Sequence, residues 1–460
     1  MNYTSIAEID EIYLSQRVFT NRREIPSVEN RLEALQRLKR EIMSNEQSLM
    51  DALKKDLGKS QYESYLTEIG VALKEIDFHC KGLRRWAKPR RVGTPWFLLP
   101  AKSRLLPEPY GQVLIMAPWN YPFQLLINPL IGAISAGNRA VLRPSPAVPS
   151  VCGVIQAIIE SVFSKDWVAV VQGDIEENQH LLSKRWDYIF FTGGPFLGKI
   201  VAEAAAKHIT PVTLELGGKS PCIIDEGCAI EQAAKRVVWG KGVNAGQTCI
   251  APDYVWVHES LKQDFLLAVE SAIAHMYDGD TLHSSDYGRI VNERSFARLK
   301  GYLKEGVTWI RGGGMDESKK YMDIAVVEVS DPEHPLMKEE IFGPILPIRT
   351  FSDLNAVVQD INQGEKPLAL YYFGKENKAW DVIGSTSSGG VSVNDTIVHV
   401  ANHYLPFGGV GGSGYGAYRG RHTFEVFSHL KGIMLSPTWF DLPLKYPPYG
   451  SLSFLKKFLG

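Results

Sequence analysis

Apolar residues in the first part of the chain recur at the spacing of amphipathic helices. Over residues 28–57, leucine and isoleucine return every three or four positions with charged residues between them, and a second helical run covers residues 62–86. The segment 84–109 that follows is rich in proline and basic residues, which interrupt helices. The pattern therefore predicts helices, then an extended arm that separates two packing units.

Beyond this arm, strand-like and helix-like runs alternate. The apolar stretches GQVLIMAP, RAVLRPS and DYIFFTGG are separated by helical patterns, of which one covers residues 151–163, and another covers 197–207. A second series starts near Pro211 and continues through SPCIID, YVWVH, LALYYFG and GGVSVND. Such alternation is typical of βαβ units. The expected fold class is α/β, with two units built on parallel sheets.

Length and composition agree with this expectation and narrow the function. At 460 residues the chain exceeds the ~250–300 residues at which a single core stops growing. Hydrophobic residues make up 45% and charged residues 22%, as in ordinary globular proteins, and the formal net charge is −1. A nearly neutral chain has no overall field that would hold nucleic acid, so chemistry on a small molecule is favoured.

Five cysteines, at positions 80, 152, 222, 228 and 249, form no CxxC pair. An odd number of cysteines in a long chain without such pairs indicates neither a disulfide framework nor a zinc site, and no metal is expected. Cys152 lies in an apolar helical run and Cys222 in an apolar strand, so both are predicted to be core residues. At most one cysteine needs a chemical role.

The two ends of the chain bear on location. The first ten residues lack the basic and apolar regions of a secretory signal, so a cytoplasmic protein is expected. No stretch reaches the ~18–20 uninterrupted apolar residues of a membrane-spanning helix. The last ten residues mix apolar and basic side chains, and two interpretations stay open: a docking segment, or weak peripheral contact with a membrane surface. The residues concerned are Phe454, Leu455, Lys456, Lys457, Phe458 and Leu459.

Cys249 is the cysteine whose surroundings suit reactivity. It follows a loop of glycine and asparagine in NAGQTCIAPDY, where backbone N–H groups can stabilise a thiolate, the nucleophilic form. Glu215 ends a strand before two glycines in PVTLELGGKSP, where a carboxylate can face a cleft as a general base. Taken alone, Cys249 is as well explained as a loop or core residue, and Glu215 as a surface glutamate.

Three further segments have the chemistry of binding sites. Asn120 in APWNYP lies between prolines at a strand end, where its side chain could donate to an oxyanion or form an Asx turn. FTGGPFLG joins a strand to a helix through glycines that suit a pyrophosphate, although its G-x-x-x-x-G spacing is not a standard dinucleotide motif. Glu340 and Phe342 in EEIFGP fit either a ribose site or the start of a strand.

Together, and in this order, these segments resemble the aldehyde dehydrogenase superfamily. The resemblance covers roughly residues 25–440 and is closest to the class 3 branch, which takes medium-chain, fatty and aromatic aldehydes. It is based on APWNYP, FTGGPFLG, LELGGKSP, GQTCIAPD, EEIFGP and LPFGGVGGSGYG. All six in one order are a specific combination.

The resemblance implies an aldehyde dehydrogenase-like subunit of three parts, and class 3 members are typically dimers, so a homodimer is expected. The implied division is a dinucleotide-binding domain at 1–83 and 110–212, a catalytic domain at 213–410, an oligomerisation element at 84–109 and 411–440, and a tail at 441–460. Within that element, residues 423–435 are expected to be strand-like.

The resemblance also implies roles for individual residues. Cys249 would attack the aldehyde, Asn120 would donate to the oxyanion, and Glu215 would activate the water that hydrolyses the thioester. The cofactor would be NAD or NADP. The residues implied to bind it are Trp119, Arg143, Ser145, Gly193, Gly194, Gly198, Glu340 and Phe342.

One departure from the family's pattern falls on the cofactor site. Where the family usually has Lys-Pro-Ser-Glu, this chain has arginine, proline, serine and proline at positions 143–146. No carboxylate is present at these positions to repel a 2′-phosphate, and the donor fork of the arginine suits a phosphate, so acceptance of NADP is predicted.

Two alternative functions stay open. One is a coenzyme A-acylating aldehyde dehydrogenase, which Glu215 argues against, and the other is a cofactor-binding protein without catalysis.

Overall fold

The computed structural model describes residues 3–459, apart from the side chain of Phe458. The helices are α1 (Ile6–Asn21), α2 (Val28–Ser44), α3 (Glu46–Leu57), α4 (Gln61–Ser64), α5 (Gly70–Trp86), α6 (Gln124–Ala136), α7 (Pro149–Val162), α8 (Ile175–Ser183), α9 (Pro195–Ala206), α10 (Ile230–Gly242), α11 (Lys262–Met276), α12 (Glu293–Tyr302), α13 (Pro335–Lys338), α14 (Leu354–Gln363), α15 (Glu376–Ser385), α16 (Arg421–Val426) and α17 (Leu452–Leu459).

The strands are β1 (Arg90–Val92), β2 (Lys102–Pro109), β3 (Gln112–Met116), β4 (Arg139–Arg143), β5 (Val168–Val170), β6 (Tyr188–Thr192), β7 (Val212–Glu215), β8 (Pro221–Ile224), β9 (Tyr254–His258), β10 (Thr308–Arg311), β11 (Met315–Asp316), β12 (Tyr321–Met322), β13 (Ala325–Glu328), β14 (Ile345–Phe351), β15 (Ala369–Phe373), β16 (Gly390–Val393), β17 (Gly414–Tyr415) and β18 (Ser428–Leu435).

A six-stranded sheet in the order β17-β7-β6-β3-β4-β5 forms the first unit. Its strands are parallel except β17, which pairs antiparallel with β7. Strands β3, β4 and β6 are buried along their whole length, as expected of parallel strands covered by helices on both faces. The carboxyl ends of β3, β4, β6 and β7 lie along one edge of this sheet.

A seven-stranded sheet in the order β10-β13-β14-β9-β8-β15-β16 forms the second unit. It is parallel except for β10 at one end. The two sheets with their helices confirm the predicted α/β fold class. Helix α6, which follows β3, is buried throughout and ends at Gly137, whose φ of 96° suits glycine.

A separate antiparallel sheet in the order β1-β2-β18 is built from the arm and from the chain's later part. Here one expectation was wrong: residues 423–435 are not strand-like throughout, because helix α16 extends to Val426 and β18 begins only at Ser428. Thr423 lies so close to Gly132 of α6 that a Cβ on that glycine would collide with its side chain. Residues 421–426 form a helix that packs closely on α6, and this long-range contact is not visible in the local sequence pattern.

Among the described residues, no helix combines the length and apolar character needed to cross a membrane. The tail forms the short helix α17.

Candidate active site

Cys249 follows a tight turn that joins α10 to β9. In that turn Asn244 and Ala245 both have φ of 51°, in the left-handed region that ordinary residues seldom adopt. Gln247 holds the turn, since its Oε1 accepts the Val291 N–H at 3.0 Å and its Nε2 donates to the Asn244 carbonyl at 2.9 Å. The thiol is therefore presented by a rigid, internally bonded loop.

Asn120 lies beside this loop. It follows β3 in the turn before α6 and is 2% exposed. Its Nδ2 donates to the Gln247 carbonyl at 3.0 Å, two residues before Cys249. Because an amide nitrogen has two hydrogens, this bond fixes the side chain and leaves one hydrogen for another acceptor.

A buried ion pair between Lys59 and Glu68 holds the backbone at Asn120 in place. Lys59 Nζ donates to the Asn120 carbonyl at 3.0 Å and to Glu68 Oε1 at 2.7 Å, and both charged side chains are fully buried. Glu68 Oε2 in turn accepts the backbone N–H groups of Phe123 and Gln124 at 3.1 and 2.9 Å. Lys59 and Glu68 were not predicted to belong to the site, because nothing in the local pattern around either residue indicates that it contacts the turn that contains Asn120.

A mainly apolar cavity of about 200 Å³ opens onto Cys249. Tyr121 and Thr248, joined by a hydrogen bond of 2.5 Å between their hydroxyls, lie in its wall. The other lining residues include Leu66, Val71, Leu125, Trp239, Val243, Ile250, Ile397, Val400 and Phe407. Such a lining suits the hydrocarbon part of a small molecule.

Glu215 is the last residue of β7 and is 2% exposed, and its carboxylate oxygens have no hydrogen-bond partner among the described residues. Burial raises the pKa of Glu215 well above its usual range, and only Arg419 opposes the shift. Burial also raises the pKa of the Cys249 thiol to about 12, with Glu340 and Glu215 adding to the effect. The Cys249 thiol is therefore largely protonated in the resting site at neutral pH, and burial favours the uncharged form of Glu215 as well.

Glu340 and Phe342 lie in the segment between α13 and β14. The Phe342 ring meets Trp119 edge to face at a centroid distance of 5.4 Å. A Cβ on Gly217 would lie 2.2 Å from the Glu340 carboxylate, so glycine there leaves room for that side chain. Burial raises the pKa of Glu340 to about 8, and its Oε1 has no hydrogen-bond partner among the described residues. A buried acceptor of this kind suits a hydroxyl group of a ligand.

The remaining predicted cofactor residues lie at the carboxyl edge of the six-stranded sheet. Arg143 ends β4, donates through Nη2 to the Gly173 carbonyl at 3.2 Å, and has an Nε without a described partner. Ser145 follows and is 8% exposed. Gly194 precedes α9, and a Cβ there would meet nothing within 4 Å. An open helix N-terminus and an unpartnered guanidinium nitrogen fit a nicotinamide dinucleotide with its phosphates.

The two other glycines of this segment have packing reasons. A Cβ on Gly193 would approach the Phe191 ring to 2.5 Å, and one on Gly198 would approach the Leu216 side chain to 2.7 Å. Both glycines therefore permit close packing between strand and helix. Any contact they make with a cofactor would be through the backbone.

Comparison with known proteins agrees with this geometry. A model of the aldehyde dehydrogenase family matches residues 13–433. The chain belongs to the aldehyde dehydrogenase family. Oxidation of an aldehyde to the carboxylic acid with NAD or NADP is therefore its activity, and the alternatives of coenzyme A acylation and of binding without catalysis are not favoured.

Named relatives cover nearly the whole chain. The chain is 44% identical to 4,4'-diaponeurosporen-aldehyde dehydrogenase of Staphylococcus aureus, over 98% of this chain and 99% of that protein. It is 41% identical to the dimeric NADP-preferring aldehyde dehydrogenase of Rattus norvegicus, over 92% of this chain and 94% of that protein. A solved structure of Staphylococcus aureus AldH in a substrate-bound state matches with a TM-score of 0.96 at 43% identity, covering 100% of both chains.

Proposed function

We propose that Cys249 is the nucleophile of the aldehyde oxidation, with Asn120 as the oxyanion donor and Glu215 as the base for hydrolysis. One observation carries this assignment: Cys249 lies in the wall of the apolar cavity on a loop to which the Asn120 side chain is hydrogen-bonded. The loop and the cavity bring a soft nucleophile and an amide donor to one place.

In the proposed reaction the Cys249 thiol first releases its proton to solvent. The thiolate sulfur then forms a bond to the aldehyde carbon, and the carbonyl oxygen becomes an oxyanion. The second Asn120 N–H and the Cys249 backbone N–H stabilise that charge. The bound nicotinamide dinucleotide supplies the acceptor for the hydride that leaves the same carbon. Cys249 then carries a thioester. Glu215, in its ionised form, takes a proton from the attacking water, and the C–S bond breaks to release the carboxylic acid and the Cys249 thiolate.

Most of the residues proposed to hold the dinucleotide lie at the carboxyl edge of the six-stranded sheet. Glu340 and Phe342 lie in the segment that precedes β14 of the seven-stranded sheet. Glu340 would accept from the nicotinamide ribose, with Trp119 and Phe342 bordering the ring. Arg143, Ser145 and the backbone at Gly193, Gly194 and Gly198 would bind the adenosine half and the phosphates.

The cavity supports medium-chain, fatty or aromatic aldehydes as substrates, because its lining is mostly apolar. In the proposed domain division, 1–83 and 110–212 bind the dinucleotide, 213–410 are catalytic, 84–109 and 411–440 serve oligomerisation, and 441–460 form the tail. The three-stranded sheet supports the third part, since β1 and β2 come from 84–109 and β18 from 411–440. The assembly is proposed to be a homodimer in the cytoplasm.

Initial rates with hexanal and with benzaldehyde test the assignment. Cys249→Ala is expected to abolish NAD(P)H formation, while Cys228→Ala, which removes another partly buried thiol, is expected to keep it. Full turnover by Cys249→Ala would refute the nucleophile.

A second variant separates the two half-reactions. Glu215→Gln is expected to give a rapid burst of NAD(P)H, about one per active site, followed by slow turnover, because hydride transfer precedes hydrolysis. Glu226→Gln, at an exposed glutamate, is the matched control. Unchanged steady-state turnover in Glu215→Gln would remove Glu215 as the base.

A further inference from the structure

Arg419 is a buried cation that the proposed mechanism does not use. It is 1% exposed, and among the described residues that line the cavity at Cys249 it is the one with a charged side chain. Its Nη2 donates to Gln124 Oε1 at 2.9 Å, whereas its Nε and Nη1 have no hydrogen-bond partner within the described chain. A buried guanidinium with unused donors is costly, so a partner of opposite charge is expected.

No neighbouring acid accepts a hydrogen bond from the Arg419 guanidinium within the described chain. Glu75 is near enough for Arg419 to lower its pKa, but its oxygens face other groups: Oε2 lies 2.7 Å from His403, and Oε1 lies 3.3 Å from His79. Glu215 makes no ion pair with Arg419 among the described residues, and burial raises the pKa of Glu215 well above its usual range, which favours its uncharged form. The Tyr418 ring lies 5.2 Å from the guanidinium carbon, which offers a π face but no acceptor oxygen.

The backbone holds Arg419 in this place at a cost. Its φ of 90° is in a region that a non-glycine residue rarely adopts. The strained turn is fixed by three hydrogen bonds: Arg419 N–H to Thr423 Oγ1 at 2.8 Å, Gly420 N–H to Glu75 Oε1 at 2.7 Å, and Thr423 Oγ1 to the same oxygen at 3.1 Å. A strained, clamped residue facing a cavity points to function.

Gln124 is a second polar residue beside Arg419 in the cavity wall. Its Oε1 accepts from Arg419 and also from Asn128 Nδ2 at 3.1 Å, so the oxygen is occupied by two donors. The amide nitrogen donates to no described residue, and Gln124 lines the cavity. Arg419 and Gln124 together present donors only, inside a wall that is otherwise mostly apolar.

We propose that Arg419 and Gln124 form a carboxylate subsite, so that the preferred substrate is an oxo acid, an aldehyde with a carboxylate at the far end of a short apolar chain. The apolar wall takes the chain, and the guanidinium with the amide takes the carboxylate. This inference rests on the proposed function, since it requires the aldehyde to be at Cys249.

A series of straight-chain oxo acids of increasing length tests it, each compared with the alkanal of the same length. In the wild type, one length or a narrow range is expected to have a KM at least about 10-fold below that of its alkanal. Arg419→Met should raise that KM about 10- to 100-fold more than it raises the alkanal KM, because only the oxo acid loses a partner for its carboxylate. Arg421→Met removes a nearby exposed arginine and should change neither.

Two results would overturn the subsite: no oxo acid preferred over its alkanal in the wild type, or equal rises of both KM values in Arg419→Met. The second pattern would mean that Arg419 shapes the cavity or serves Glu215.

Protection of Cys249 from alkylation tests the carboxylate subsite in the wild type, so the result does not depend on whether a variant folds. Iodoacetamide alkylation of Cys249 should be slowed by a dicarboxylate at lower concentration than by the monocarboxylate of equal length. Equal protection would count against the subsite. This readout reports binding without turnover, so it separates failure of the subsite from failure of the proposed mechanism, which full turnover by Cys249→Ala would reveal.

Discussion

At the scale of single residues, the setting of Cys249 determines when its thiol can react. Burial and the nearby acidic side chains of Glu340 and Glu215 all raise its pKa, and Arg419 lowers it only slightly by comparison. A thiol with a pKa of about 12 is almost entirely protonated at neutral pH, and the thiolate is the nucleophile. The unliganded site therefore holds its nucleophile in the less reactive form.

Alkylation of the unliganded enzyme checks this setting. The rate constant for iodoacetamide at Cys249 is expected to rise about 10-fold per pH unit between about pH 7 and about pH 9, because the thiolate fraction rises by that factor below the pKa. Mass spectrometry of the peptide that contains Cys249 separates it from the other cysteines. A plateau below about pH 9 would contradict the raised pKa.

Arg143 and Pro146 make a second prediction at this scale, about cofactor choice. Arg143 has an Nε without a hydrogen-bond partner among the described residues, and no carboxylate follows it at position 146. The wild type is therefore expected to use NADP at least as well as NAD. Pro146→Glu should raise the KM for NADP about 10-fold or more, by repulsion of the 2′-phosphate, and change the KM for NAD much less. NAD, measured with the same variant, is the control. A wild type that is inactive with NADP and active with NAD would contradict the prediction.

At the scale of elements, the helical layer of the amino-terminal part supports the catalytic turn. Lys59 lies between α3 and α4, and Glu68 lies in the short π-helix (Tyr65–Ile69) between α4 and α5, yet both contact the segment that joins β3 to α6. Glu63 of α4 adds a third link, accepting the Asn244 N–H at 2.8 Å. The position of Asn120 thus depends on packing between elements far from it in the chain.

Replacement of the buried pair tests this dependence. The double variant Lys59→Met with Glu68→Gln removes both charges of this ion pair, so neither of the two is left without its partner and the fold should persist. We expect kcat to fall about 10- to 100-fold, with little change in cofactor affinity, because Asn120 loses its support and the oxyanion is stabilised less well. A deuterium isotope effect on kcat with deuterated aldehyde would indicate that hydride transfer has become slow.

Lys54→Met, at an exposed lysine on the neighbouring helix α3, is the matched control. Unchanged kcat in the double variant, with an unchanged thermal midpoint, would show that the pair does not position Asn120.

At the scale of the whole molecule, two edge strands of the described sheets could pair with another chain. Strand β18 is the last strand of the three-stranded sheet, and β16 is the last strand of the seven-stranded sheet. Strand β18 also carries exposed apolar side chains, with Leu430 40% and Met434 50% exposed. An exposed strand edge with apolar side chains is a template for pairing with another chain. The proposed homodimer would cover it.

Size-exclusion chromatography with light scattering checks the assembly. The wild type is expected to elute at twice the mass of one chain. The double variant Leu430→Lys with Met434→Lys should shift it toward the monomer, because charge on an edge strand opposes pairing. Leu267→Lys, at a leucine on α11 that is 61% exposed, should leave the dimer intact. A monomeric wild type, or a double variant that remains dimeric, would exclude β18 as the contact.

The sequence by itself determined the fold class and the family. Alternation of buried strands with helical runs is a local pattern, and the structure confirms the α/β class that it predicts. The ordered motifs around Asn120, Glu215 and Cys249 identified the family, because glycine, proline and reactive side chains at fixed places are visible along the chain. The individual roles of these residues stay predictions until the variants are measured.

Only the tertiary structure decided what supports and surrounds these motifs. Lys59 meets the Asn120 carbonyl across 61 positions, and Arg419 meets Gln124 across 295. The helical form of residues 423–426 likewise depends on packing against Gly132. Burial makes these contacts matter, since it strengthens each charge interaction and shifts each pKa, and burial is a property of the folded chain that no local pattern contains.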